Sequence, residues 1–197
     1  PESVSLAPSV QRSFRSPSFL REDRPLTATE RGTATHMVLQ FIDYNKAGTL
    51  DGIRSEIARL TASRHISERQ AQAVNAEAIE RLFRSDLGRR IMNADRLMRE
   101  FKFSILCPAE DFFDGGEGES VLLQGVIDCC IEENGELTII DYKTDRVRGE
   151  ALYERAKSYA GQLRAYAIAI GKMTGKPVTG CALYFLEAGQ TVFVPEN

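Results

Sequence analysis

The segment that most constrains the fold is VLLQGVIDCCIEENGELTIIDYK, residues 121–143. Two apolar runs flank Asn134-Gly135, the dipeptide best suited to a two-residue hairpin turn, because both turn positions need positive φ. Closing the chain there pairs Glu133 with Glu136 and, counting back, Asp128 with Asp141. Both carboxylates then leave one face of the sheet, and Lys143, two residues beyond Asp141, joins them. Val126, Cys130 and Ile139 share that face; Ile127, Cys129, Ile131 and Ile140 occupy the other. Because both faces are apolar, the pattern predicts a central, buried hairpin.

Two carboxylates opposed in such surroundings repel one another and lose hydration. A divalent cation would relieve both penalties, and all-oxygen ligands suit Mg²⁺ or Mn²⁺. Lys143 cannot neutralise two carboxylates, but it can place a positive charge near a phosphate. The alternative is an Asp–Lys pair at the rim of a sheet with no metal.

Around the hairpin, the pattern predicts an α/β (α+β) fold with a small mixed β-sheet flanked by helices and an N-terminal helical portion. Residues 1–26, rich in Ser and Pro and opening on Pro1 instead of Met, read as a linker or tail. They suggest a piece of a longer chain, with the domain over 27–197. Thr27-x-x-Glu30 fits a capping box, and Ala34, Met37, Val38, Phe41 and Ile42 follow at helical spacing. Further helices are expected over 50–62, 67–83 and 86–93. Residues 97–106 alternate as a strand and 108–119 read as a loop. Strands follow at 120–132 and 137–143, a long helix at 150–171, and strands at 178–186 and 191–194.

The net charge is −3, from 25 basic and 28 acidic residues. That total argues against a nucleic-acid partner, but its distribution does not. Residues 81–102 carry net +4, residues 103–142 net −10 and residues 143–176 net +5. An acidic block thus lies between two basic ones. No apolar run approaches the ~18 residues of a membrane span, so no membrane role is expected. Cys107, Cys129, Cys130 and Cys181 show neither CxxC spacing nor a nearby His, and read as buried thiols of a cytoplasmic protein. GKMTGKP, residues 171–177, has the wrong spacing for a phosphate loop and follows a helix, so no ATP site is expected.

Other residues admit two readings each. His36 falls on the polar side of its helix with Gly32, Thr33 and Gln40, as a solvated surface residue or a ligand. Gly32 inside a helix suggests a close approach. Arg155, Tyr159, Gln162 and Tyr166 form one stripe of the long helix, either a polar flank or the wall of a cleft. Arg146, Arg148, Arg155 and Arg164 could follow a nucleic-acid backbone by charge. Glu100 reads as a solvated residue in a charge-alternating edge strand.

Together these residues resemble the RecB-like branch of the PD-(D/E)XK nucleases. The resemblance rests on His36 in ERGTATH, Asp128 in QGVID, Asp141 and Lys143 in IIDYKTDRV, and Gln162 with Tyr166 in QLRAY. It covers residues 27 to 186 and is strongest toward the nuclease domains of AddAB-type bacterial helicase–nucleases. It implies a Mg²⁺-dependent (or Mn²⁺-dependent) deoxyribonuclease with Asp128, Asp141, Lys143, Gln162 and Tyr166 catalytic. His36, Asp128, Asp141 and the Tyr142 carbonyl would hold the metal. Glu100 sits where relatives often carry an accessory Glu, although Lys102 replaces the Pro that usually follows. Only Cys181 follows the Gln-x₃-Tyr helix, so no iron–sulfur cluster is expected. The implied partners are single-stranded DNA fed by a helicase, the helicase portion of the same parent chain and an AddB-type subunit. The implied setting is the bacterial cytoplasm, at the nucleoid, in double-strand-break repair and recombination. A non-catalytic DNA-binding or scaffold module, or a free-standing exonuclease of the same branch, are the alternatives.

Overall fold

The computed structural model describes residues 25–112, 115 and 117–195; nearly all of the expected tail lies outside the described residues. The chain runs through helices α1 (Ala28–Phe41), α2 (Leu50–Ala62), α3 (Glu68–Ala73), α4 (Ala76–Arg84) and α5 (Asp86–Asn93). Strands β1 (Arg96–Pro108), β2 (Ser120–Glu133) and β3 (Glu136–Lys143) follow, then helix α6 (Glu150–Thr174) and strands β4 (Val178–Phe185) and β5 (Gln190–Val194). Short 3₁₀ turns occur at Tyr44–Lys46 and Ala109–Asp111.

The strands form one five-stranded sheet in sequential order, β1-β2-β3-β4-β5. β3 and β4 are parallel, and the other neighbours are antiparallel. A parallel pair needs a crossover, and α6 supplies it. The sheet therefore separates two cores. On one side α1, α2, α4 and α5 cover Cys129, Ile131, Ile140, Tyr142, Ala182 and Tyr184. On the other, α6 covers Cys130, Ile139, Cys181, Leu183 and Phe185. Cys129 and Cys130 thus point into opposite cores. Burial pushes both thiols up to about 12, which keeps them neutral.

The turn forms as expected, with Asn134 at φ 54° and Gly135 at φ 85°. The predicted register holds from Glu133↔Glu136 to Cys129↔Ile140. Pairing stops there, one residue short of Asp128 and Asp141. Ile127 also departs from expectation, because it packs in the α6 core whereas Cys129 packs in the opposite one. β1 switches in step, since Arg99 reaches α1 while Phe101 packs toward α6. The two strands exchange faces together at Glu100 and Asp128.

The Thr27 capping box forms: Thr27 Oγ1 accepts from the Glu30 N–H at 3.2 Å, and the Thr27 N–H donates to the Glu30 carboxylate at 2.8 Å. The single helix expected over 67–83 is two. Val74 is extended, and the Asn75 side chain accepts from the Ala78 N–H to start a new helix, as Asn favours at an N-cap. The inward face of α1 also differs from expectation. Gly32, Thr35 and Leu39 are buried, while Phe41 is 39% exposed. α1 lies between the sheet and neighbouring helices, so Gly32 and His36 of its polar side face the sheet, while Thr33 stays exposed.

Buried Glu56 of α2 holds the turn after α1 in place. Its carboxylate accepts from the Asp43 N–H at 3.0 Å, from Arg59 at 2.7 and 3.0 Å, and from Lys46 at 3.4 Å. Hydrogen bonding from Arg59, ahead of the opposing burial, lowers its pKa from 4.5 to about 2. A depressed carboxylate contributes stability above its unfolded pKa and loses it as pH falls through the folded value. Glu56→Gln is therefore expected to lower stability near neutral pH and to flatten its decline between about pH 4.5 and pH 2. Urea unfolding followed across that range checks this.

Candidate active site

The site forms where β2 and β3 part. Instead of a ladder partner, the Tyr142 N–H finds the Asp128 side chain and donates to its Oδ2 at 2.8 Å. The other oxygen of Asp128, Oδ1, lies 3.2 Å from His36 Nδ1 on α1. α1 can bring His36 so close because Gly32, one turn earlier, has no side chain. A Cβ there would stand 3.0 Å from Thr144 Oγ1, just beyond β3. The C-terminal end of α1 is tied down by Arg99 of β1, which donates to the Ile42 carbonyl at 2.7 Å and lies over the Tyr44 ring at 4.5 Å. A cation satisfying carbonyls at a helix C-terminus is favourable by hydrogen bonding and by the helix dipole.

Glu100 occupies the matching position on β1. It is a non-glycine residue at φ 49°, a backbone conformation costing about 1–3 kcal/mol that persists where the surroundings enforce it. The result is a cluster: ligand atoms of His36, Glu100 and Asp128 all lie within 4.8 Å of one another. Sequence reasoning gave Glu100 only an accessory place, because the strained turn that swings it into the site leaves no mark in a period-2 pattern.

Asp141 faces Lys143 across 2.6 Å as an ion pair, yet its Oδ2 is buried without a well-aligned hydrogen bond. Burial first, and the Asp128 charge second, raise its pKa despite Lys143. Burial and then Asp128 raise Glu100 in the same direction. Burial opposes a charge on His36, but its hydrogen bond to Asp128 and the charges of Asp128, Asp141 and Glu100 outweigh burial and lift its pKa. The cluster thus carries more negative charge than its protein partners neutralise. Three carboxylates and an imidazole form a donor set that fits a hard divalent cation.

The stripe on α6 divides into two groups. Tyr159 is the residue that meets Lys143, with the ammonium 3.8 Å from the ring centroid. Arg155 pairs with Asp145 at 2.8 Å. Gln162 donates to the Tyr166 hydroxyl at 3.0 Å, and Tyr166 lies against β1 and β2, where it meets Phe103 edge-to-face at 5.0 Å. No contact joins either of them to Lys143 among those seen in the described residues. Arg146 and Arg148 are exposed just beyond β3. Arg164 instead donates to the Pro195 carbonyl after β5, at the other end of the strands from Lys143. The GKMTGKP segment closes α6, with Gly175 as a left-handed C-cap.

A family model for the PD-(D/E)XK nuclease superfamily matches residues 11–196. The chain belongs to this superfamily. The AddA component of the ATP-dependent helicase/nuclease of Levilactobacillus brevis is 39% identical over 195 residues, 95% of this chain and 16% of that protein. The corresponding proteins of Bacillus mycoides and Heliobacterium modesticaldum are 37% and 40% identical, over 91% and 88% of this chain. The chain spans only 15% and 13% of their lengths. Within this nuclease fold, Gly125 of the QGVID segment has a packing role. A Cβ there would fall 2.7 Å from the Tyr166 ring. Gly125→Ala is expected to destabilise the domain by about 1–3 kcal/mol through overpacking, and thermal or urea unfolding measures it.

Proposed function

We propose that this domain hydrolyses phosphodiester bonds of DNA with a bound Mg²⁺ or Mn²⁺, as the nuclease part of a larger AddA-like helicase–nuclease. The observation that carries this reading is the convergence of His36, Glu100 and Asp128 beside half-buried Asp141. Those four side chains would hold the metal. The Tyr142 carbonyl is a fifth candidate. The Lys143 carbonyl accepts from the Leu186 N–H on the β4 side, and strand alternation turns the Tyr142 carbonyl toward the β2 gap. When bound, the metal polarises the scissile phosphate and lowers the pKa of a coordinated water.

The protein's own groups do the rest. Asp128 is fixed by Tyr142 and His36, so its carboxylate needs little reorganisation when it takes up a ligand. Lys143 is placed to orient the attacking water or to offset charge developing on the phosphate. Gln162 is exposed at the end of its bond to Tyr166, which suits contact with the DNA backbone better than contact with Lys143. Arg146, Arg148 and Arg155 supply positive charge along the approach to the site. In this reading the helicase portion of the parent chain delivers a single strand, a partner of AddB type completes the assembly, and the complex works on double-strand breaks in the bacterial cytoplasm. Among the described residues no helix is long and apolar enough to cross a membrane.

Asp141→Ala and Lys143→Ala are each expected to lower Mg²⁺-dependent cleavage of labelled single-stranded DNA by about 100-fold or more, with the folded state retained by circular dichroism. Wild-type protein is expected to bind Mn²⁺, and Asp128→Ala to bind it far more weakly. Full cleavage by the Asp141 or Lys143 variant would overturn the reading, and absence of Mn²⁺ binding would favour a non-catalytic scaffold of the same fold.

A further inference from the structure

Lys143 has two close neighbours of different kinds. Asp141 attracts its ammonium sideways along β3 at 2.6 Å. Tyr159 of α6 offers the face of a ring, 3.8 Å from the nitrogen to the centroid. That ring is itself held at its far end, where the Tyr159 hydroxyl donates to Asp145 at 3.2 Å and Arg155 donates to the same carboxylate at 2.8 Å. The Arg155 guanidinium also lies 4.8 Å from the ring centroid. Asp145, Arg155 and Tyr159 therefore form a small frame that ties α6 to the chain just after β3.

We infer that Tyr159 is the positioning residue for Lys143, holding the ammonium by a cation–π contact in line with the carboxylate cluster. The inference rests on the proposed nuclease reading and extends it by one residue. A lysine side chain has four rotatable bonds and loses much entropy when held in one place. The Asp141 pair alone would draw the ammonium onto an oxygen that the metal also needs. A ring face attracts a cation without competing for a ligand atom. Donation of the hydroxyl to Asp145 makes the ring more electron-rich and strengthens that attraction. The polar and cation–ring contacts of Tyr159 run to Lys143, Asp145 and Arg155, so its effect on the site passes through Lys143.

The test uses the 197-residue chain with Tyr159→Phe, which keeps the ring, and with Tyr159→Leu and Tyr159→Met, which remove it. Two readouts are taken. The first is the NMR shift of the Lys143 ε-methylene protons, which a ring face moves upfield whether or not metal or DNA is bound. The second is kcat and KM for Mg²⁺-dependent cleavage of single-stranded DNA. The Leu and Met variants are expected to lose the upfield shift and to lower kcat roughly 10–100-fold with KM little changed. The Phe variant is expected to keep the shift and to stay within about threefold of wild type. Wild-type kcat in the Leu and Met variants would overturn the inference. So would an equal fall in the Phe variant, which would assign the effect to the hydroxyl–Asp145 link. Lys143→Ala, run in parallel, separates the two levels: if it cleaves normally the nuclease reading itself fails, whereas if it is dead while Tyr159→Leu is fully active only the positioning role fails.

Discussion

The hydrogen bond from the Tyr142 N–H to the Asp128 carboxylate organises the site. It takes the place of a strand-to-strand bond, so the β2–β3 ladder ends at Cys129↔Ile140. Beyond that point β2 continues with β1 as a two-stranded ribbon, while β3 continues with β4. A gap opens between them, and Asp128, Asp141, Glu100 and His36 gather around it. A fully paired hairpin would leave the same carboxylates on a continuous sheet face. The parting of the strands gives them room to converge on a ligand.

The helices serve this opening from both sides. α1 brings an imidazole to one carboxylate and is pinned by Gly32 under Thr144 and by Arg99 at its C-terminal end. α6 brings an aromatic ring to the lysine and is pinned by Tyr166 over Gly125 and by Arg155 on Asp145. Two glycines and two arginines therefore set the depth and angle of both helices. The acidic block, net −10 over residues 103–142, contributes Asp128 and Asp141 to the site, whereas Glu100 comes from the basic segment before it.

The hairpin, its turn and the pairing of its register were legible because a two-residue turn leaves one solution. The order of elements and the mixed sheet followed from periodicity. Three features were not legible. The end of the ladder depends on a side chain competing with a backbone carbonyl, which no periodic pattern records. The exchange of faces at Glu100 and Asp128 put Ile127 in the core opposite to the one its spacing suggests. His36 admitted a solvated reading because the strand residue it meets, Asp128, lies about 90 residues away in sequence. The stripe on α6 was visible as a stripe, but only the packing shows that Tyr159, and not Gln162 or Tyr166, reaches Lys143.

The crossover through α6 has a consequence for the order in which the domain assembles. The β2–β3 hairpin closes over two residues and can form early and locally, whereas the β3–β4 pairing must wait for the whole connecting helix to find its place. Asp128 and Asp141 can thus come together in a nascent chain before Tyr159 is in position. On this sequence of events the two carboxylates meet first and the contact between Lys143 and the Tyr159 ring forms last, so the proposed site would be complete only in the finished fold.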